Sequence, residues 1–436
     1  MPLAREANRR MNKALSFWVG ARHLKKSRGL SSWSILRWAR MISMMFSGFW
    51  LTTVVWGQTS TNWTAPGVVF TNIAHISGGI VYEVSIKGNY AYLARGSDGV
   101  RILNISNPTA PIIVRDFAGG HNTVGVTVDG NALYVANWAG SWDTYDIADP
   151  ENPAFMIQQL NDANSVQRTV LDGDRAYVVT TGRFYIFDVS NRTNPVEIVS
   201  VNPKYEYPQG GFGVDVALRN NIAFFAFAGG RLPVFDVSNP FAPVQLRTLT
   251  NGYAWGVTLV DNYLYQSSSG VGIDIFDISN LTNAVYLRRV STGGSPYRSV
   301  VIGDRMFLPN GTAGIRIYDI YNRTNLIPLV NFRNTNDWVV SLTVVGDCIY
   351  SANFGAGMDI FRFVEYPRLI VTKPIPGQVK VSWSPVLPGF VLQQTENLNG
   401  SQIWTNVANG TNSPVDIPVA EGSKYFRLYK SQPNLQ

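Results

Sequence analysis

VTLVDNYLYQSSSGVGIDIFDISNLTNAVYL, residues Val257 to Leu287, is the stretch whose reading decides the fold. It opens on an alternating apolar run, turns at Asp261-Asn262, and continues through a second run centred on Tyr265. A glycine-bearing loop leads into IDIFDIS, and a last apolar run closes the unit. Runs of this length with turn residues between them read as short β-strands. Seven such units recur. Aligned on the residue that ends the third run, they give Asn104, Asp146, Asp188, Asp236, Asp277, Asp319 and Arg362, at spacings of 42, 42, 48, 41, 42 and 43 residues. A period near 42 with about four short strands predicts a propeller array, not a helical solenoid. No sustained helical periodicity appears between Gly79 and Phe363.

The joints between runs carry specific turn chemistry. Asp129-Gly130-Asn131 and Asp172-Gly173-Asp174 are tight hairpin closures. After the third run come SNPTAP, ADPENP, SNRTNP and SNPFAP, in which side-chain oxygens can accept backbone N–H groups and proline fixes φ. The seventh unit breaks off after MDIFRF without such a corner. Ahead of the first unit, however, Asn62-Trp-Thr-Ala-Pro66-Gly-Val-Val-Phe70 matches Asn107-Pro-Thr-Ala-Pro111-Ile-Ile-Val-Arg115. Asn62–Phe70 is therefore expected to be the outer strand of the last unit, so that no interior edge stays exposed. The expected fold is all-β: a seven-bladed β-propeller closed by N-terminal strand exchange, followed by a small β-sandwich.

The third run with its corner, seen as VRILNIS, FYIFDVS, LPVFDVS, IDIFDIS and IRIYDIY, resembles the LVIVD repeat of bacterial and archaeal surface-associated proteins. That resemblance implies a β-propeller and carries no common activity. SWDTYDIADP and MDIFRF depart most from the pattern, and Arg362 stands where the other units have an acid or amide.

The period stops after Phe363. RLIVTKP, QVKVSWSP, GFVLQQTENL, IWTNV, SPVDIPV and KYFRLYK read as six short strands, which suggests an immunoglobulin- or fibronectin-III-like sandwich over 365–436. VLQQTENLNGSQIWTNV with YFRLYK resembles terminal β-domains of secreted bacterial proteins, which implies a structural or adhesive accessory.

Charge is unevenly placed. Residues 1–57 hold 10 of the 36 Lys and Arg and one of the 29 acids, leaving 26 basic and 28 acidic residues in the remainder. The high pI therefore belongs to the leader, and nucleic acid is not an expected partner. Arg37 and Arg40 precede the apolar run Met41–Gly57, and polar QTSTN follows, as in a secretory signal. If it is uncleaved, the run is just long enough to anchor the chain in a membrane. The protein is expected to be secreted, at the cell surface or in the periplasm, and monomeric, with residues 58–364 as the propeller. Its one cysteine, Cys348, lies in an apolar run and reads as a buried strand residue.

Candidate function concentrates where units differ. Nine residues before the second-strand aromatic lie Glu83, Gly125, Arg168, Asp215, Gly256, Arg298 and Ser341. Two acids, two arginines and two glycines are not what core packing requires. One reading is an ion pair between Arg168 and Asp215 that stabilises the ring. The other is a polar pocket at the channel mouth in which the arginines receive an acidic group of a ligand. His121, Trp255, Tyr297 and Trp338 lie on the joints nearby, and the aromatics can offer faces to sugar rings. The fourth joint, with Tyr205 and Tyr207, accounts for the 48-residue spacing.

Catalytic motifs are scarce. The three histidines are His23, His75 and His121, with no HExxH, GxSxG, Walker loop or cysteine pair. No cofactor and no metal are expected, and Gly96-Ser-Asp-Gly99 reads as a turn before a strand. The expected function is non-enzymatic: a binding or scaffold protein presenting a loop face to a glycan, peptide or protein. The alternative is a polysaccharide lyase or hydrolase with its site at the channel mouth.

Overall fold

A computed structural model describes residues 62–430 apart from 119–120, 162–163, 204–211, 229–230, 251–252, 281–283, 334–336, 376–377, 385–389, 397–402 and 419–423. The chain divides into two units, residues 1–59 and 60–436. The expected leader and the Tyr205–Tyr207 joint lie outside the described residues. Among the described residues the fold is all-β, and no helix is long and apolar enough to cross a membrane.

Between Glu83 and Val345 the first strands of successive sheets begin at Glu83, Thr123, Val166, Phe212, Ala254, Val300 and Val339. Each starts an antiparallel sheet, and five of these are complete four-stranded meanders whose strands follow in chain order. The second strands are buried on both faces: in Ala132–Asn137 every residue is buried, which is why these runs are continuously apolar instead of alternating. The outermost strands are largely exposed, as in Ile112–Phe117 and Val285–Val290.

The turn chemistry forms as the sequence predicts. Asn220 and Asn221 both take positive φ (47° and 62°), the mirror-image turn that matches strand twist. At the corners, the side-chain oxygens of Asp146, Asp188, Asp236, Asp277 and Asp319 each accept a backbone N–H two residues on, at 2.8 Å. Asn104 does the same at 2.9 Å. The residue after each of these acids bonds back to the first hairpin turn, as in Ile278 N–H to Asn262 O at 2.7 Å. Corner and hairpin are thereby tied at one end of six sheets.

The seventh sheet departs from chain order. Its fourth strand is Val68–Ile76, antiparallel to Gly357–Glu365, with Phe70 opposite Phe363 and His75 opposite Asp359. This corrects the expected Asn62–Phe70. Trp63 and Thr64 instead lie against Asn331 and Val330, as a fifth strand on the outer edge of the sixth sheet. The chain passes from one sheet to the next at Pro66-Gly67, where Gly67 has φ of 85°. The match to the corner motif is real, but it places a turn between two strands and not the strand itself.

Apolar side chains pack between each sheet and the next. The same holds between the seventh sheet (Cys348, Tyr350, Met358, Ile360) and the first (Val84, Leu93, Leu103). Cys348 is buried in that layer, as the sequence predicts. Beyond Glu365, one three-stranded sheet is built on Gln378–Ser384 and another on Phe390–Thr395. They share a core of Val381, Trp383, Leu392 and Ile417. On the second sheet Arg427 stacks over Trp404, 4.3 Å from the ring centroid.

Candidate functional site

The seven positions picked out by counting occupy one level of the first strands. Glu83 lies opposite Ala94, Gly125 opposite Ala136, Arg168 opposite Val179, Asp215 opposite Ala226, Gly256 opposite Ser267 and Ser341 opposite Ala352. Arg298 stands two residues before the Val300–Ile302 strand. In five sheets a register shift falls immediately before this level. Such a bulge re-aims the side chain that follows it.

The charges at this level form one chain. Glu83 Oε1 pairs with Arg168 Nη1. Arg168 Nε lies 3.3 Å from Asp215 Oδ1, and Arg298 Nη1 donates to the same oxygen at 3.3 Å. The other oxygen of each acid accepts a backbone N–H from the neighbouring sheet: Val126 to Glu83 at 3.1 Å and Val257 to Asp215 at 2.9 Å. Glu83 and Asp215 are 8% and 1% exposed, so these bonds hold carboxylates that water scarcely reaches. The pair Arg168–Asp215 named from sequence is present; Glu83 as a second partner of Arg168 is not expected from neighbour order.

The glycines explain that reach. Gly125 stands between Glu83 and Arg168, and a Cβ there would sit 3.1 Å from Gln167 O and 3.3 Å from Glu83 Oε2. Gly256 stands between Asp215 and Arg298, where a Cβ would be 2.6 Å from the Arg298 backbone. The missing side chains let each acid cross a whole sheet. Burial pulls the Arg168 pKa down, but Glu83 and Asp215 outweigh it and leave the guanidinium above its ordinary value. Arg298 ends below its ordinary value: burial again pulls down, Asp215 pulls up, and Arg168 repels.

Aromatic side chains stand one residue before this level on some sheets only. Tyr297 contacts Trp255 edge-on, with ring centroids 5.5 Å apart. Tyr82 packs against Trp138 and Phe354, each at 5.4 Å. Burial pushes the Tyr82 hydroxyl up to about 12, and burial also raises Tyr297, opposed by Trp338 and reinforced by Tyr82. The Trp338 indole rests on Gly311, where a Cβ would meet Nε1 at 2.7 Å. His121 is exposed and hydrogen-bonds to none of the other candidates among the described residues. Tyr82 was missed from sequence, although its place immediately before Glu83 was a usable signal. Asp98, in the glycine turn, pairs with Arg95 at 3.1 Å.

A family description, the LVIVD repeat, matches residues 78–118, 120–159, 163–203, 210–248 and 251–292. Five LVIVD repeats lie in this chain. The matched LVIVD segments begin just ahead of the first sheet and end with the fifth. Among solved structures, the computationally designed Ika8 protein is similar to this chain at 11% identity, covering 67% of this chain and 99% of its own, with a TM-score of 0.49. No curated protein matches the chain.

Proposed function

We propose that residues 58–364 form a seven-bladed β-propeller closed by N-terminal strand exchange, and residues 365–436 an immunoglobulin- or fibronectin-III-like sandwich. On this reading the protein is exported and non-enzymatic, and it presents the ring of first strands and its joints to a glycan, peptide or protein partner. The repeat period, the pairing of Val68–Ile76 with Gly357–Glu365 and the apolar layer between the seventh and first sheets support the closed ring.

One observation carries the functional reading: both acids at the ring level are spent on guanidiniums and backbone donors. A lyase or hydrolase needs an acid or base whose proton is free to move. Glu83 and Asp215 each hold a guanidinium and a backbone N–H instead. Burial raises Tyr297, opposite to what a phenolate base requires. Binding needs none of this, only a rigid rim with aromatic faces and hydrogen-bond donors.

Acidic and neutral polysaccharides offered to the purified protein should be retained without chain cleavage. Release of products, abolished by Arg168→Ala or Arg298→Ala, overturns the non-enzymatic reading.

A further inference from the structure

The ring level repeats itself after three sheets. Glu83, Gly125 and Arg168 are followed by Asp215, Gly256 and Arg298, an acid, a glycine and an arginine each time. The surroundings repeat as well. Thr127 Oγ1 donates to Thr169 O at 3.1 Å, and Thr258 Oγ1 donates to Ser299 O at 3.0 Å. The Tyr134 hydroxyl donates to Arg192 O, and the Tyr265 hydroxyl to Arg323 O. The two halves differ in one respect. Arg168 is followed by an acid and holds two carboxylates, whereas Arg298 is followed by Ser341 and holds a single shared carboxylate oxygen.

Arg298 therefore has more donors than partners among the described residues, and its side chain remains 31% accessible. A half-buried guanidinium with donors to spare favours an anion, and its planar fork favours a carboxylate held by two parallel bonds. The aromatics sit on the same side. One residue before the ring level, Trp255, Tyr297 and Tyr82 belong to the fifth, sixth and first sheets, around Ser341. The Arg168 side has Val124, Gln167 and Val214 at those places.

We infer that the sector of Arg298 and Ser341 is a receptor for a carboxylate carried on a six-membered ring. The ligand's carboxylate takes the place that an acid at position 341 would have, and its ring lies against Tyr297 and Tyr82. This rests on the binding-protein reading above and gives it a ligand class. Uronic acids and aromatic acids share that chemistry.

Calorimetric titration of the full-length protein with galacturonate oligomers, 4-hydroxybenzoate and a neutral glucan separates the sources. At least one acid should bind, and Arg298→Lys should weaken it about tenfold or more. Ser341→Asp supplies the carboxylate internally and should abolish binding while raising the thermal midpoint. Ser341→Asn, which supplies none, should still bind. Failure of both acids to bind, or acid binding indifferent to Arg298→Lys and Ser341→Asp, overturns the inference. If the neutral glucan still binds in that case, the binding-protein reading survives. Acid binding that responds to both substitutions but is followed by ligand breakdown has the opposite meaning, sustaining the receptor and ending the non-enzymatic reading.

Discussion

Glu83 and Arg168 form an ion pair although the strand carrying Gly125 lies between them. The same arrangement joins Asp215 to Arg298 across Gly256. Alanine at these glycines probes how tightly the crossings are packed. At Gly256 a Cβ meets backbone at 2.6 Å, which cannot yield without moving the strand. At Gly125 the nearest atoms are 3.1 Å away. Gly256→Ala should cost about 2–3 kcal/mol and Gly125→Ala about 1 kcal/mol or less. Urea unfolding of the two variants checks the order, and equal costs would contradict it.

Asp215 joins both arginines to a backbone N–H while only 1% exposed. Removing it leaves Arg298 with no carboxylate, beside an Arg168 guanidinium that keeps only Glu83. Asp215→Ala should cost about 3–5 kcal/mol, the range for breaking a buried pair from one side. Glu83→Ala should cost less, because Arg168 keeps Asp215. If the losses were equal, Asp215 would not be the centre of the chain of charges.

The corner acids give the fold a defined acid limit. Serine side-chain and backbone donors hold Asp188, Asp236 and Asp277 below the ordinary carboxylate value of 3.8. A depressed folded pKa contributes stability above the unfolded value, and that stability is lost as pH falls through the folded value. Asn104 makes the same turn without titrating. The triple variant Asp188→Asn, Asp236→Asn, Asp277→Asn should match the parent near neutrality and lose less stability below about pH 4. Thermal midpoints between about pH 2 and pH 7 decide it. Parallel curves would show that the corner carboxylates are not what acid attacks.

The repeats, the corners and the ring level were legible because hairpin register is local: a tight turn fixes which residue faces which, so counting back from Tyr92 or Tyr265 lands on one level. Glu83 as the second partner of Arg168 was not legible from neighbour order alone, since charged side chains pair by reach, and the reach depended on Gly125 having no side chain. Those two glycines, each between an acid and an arginine, were the signal. The exchanged strand was misplaced for a different reason. Asn62–Pro66 has the composition of a corner, and a corner motif marks where a strand begins instead of which residues pair.

That strand gives the architecture its most direct test. Val68–Ile76 joins Gly357–Glu365 over its whole length, Phe70 stacks on Phe361 at 4.8 Å, and His75 Nδ1 lies 2.8 Å from the buried Asp359. Without it the third strand of the seventh sheet is an open edge, and Asp359 loses His75 and Asn72, which reaches the same oxygen at 3.1 Å. Deleting residues 62–76 should lower the thermal midpoint sharply and promote association through that edge. A synthetic peptide spanning 66–77, added in excess, should restore both by pairing in place of the lost strand. A deletion variant that melts like the parent and stays monomeric would mean that Val68–Ile76 does not hold the ring closed.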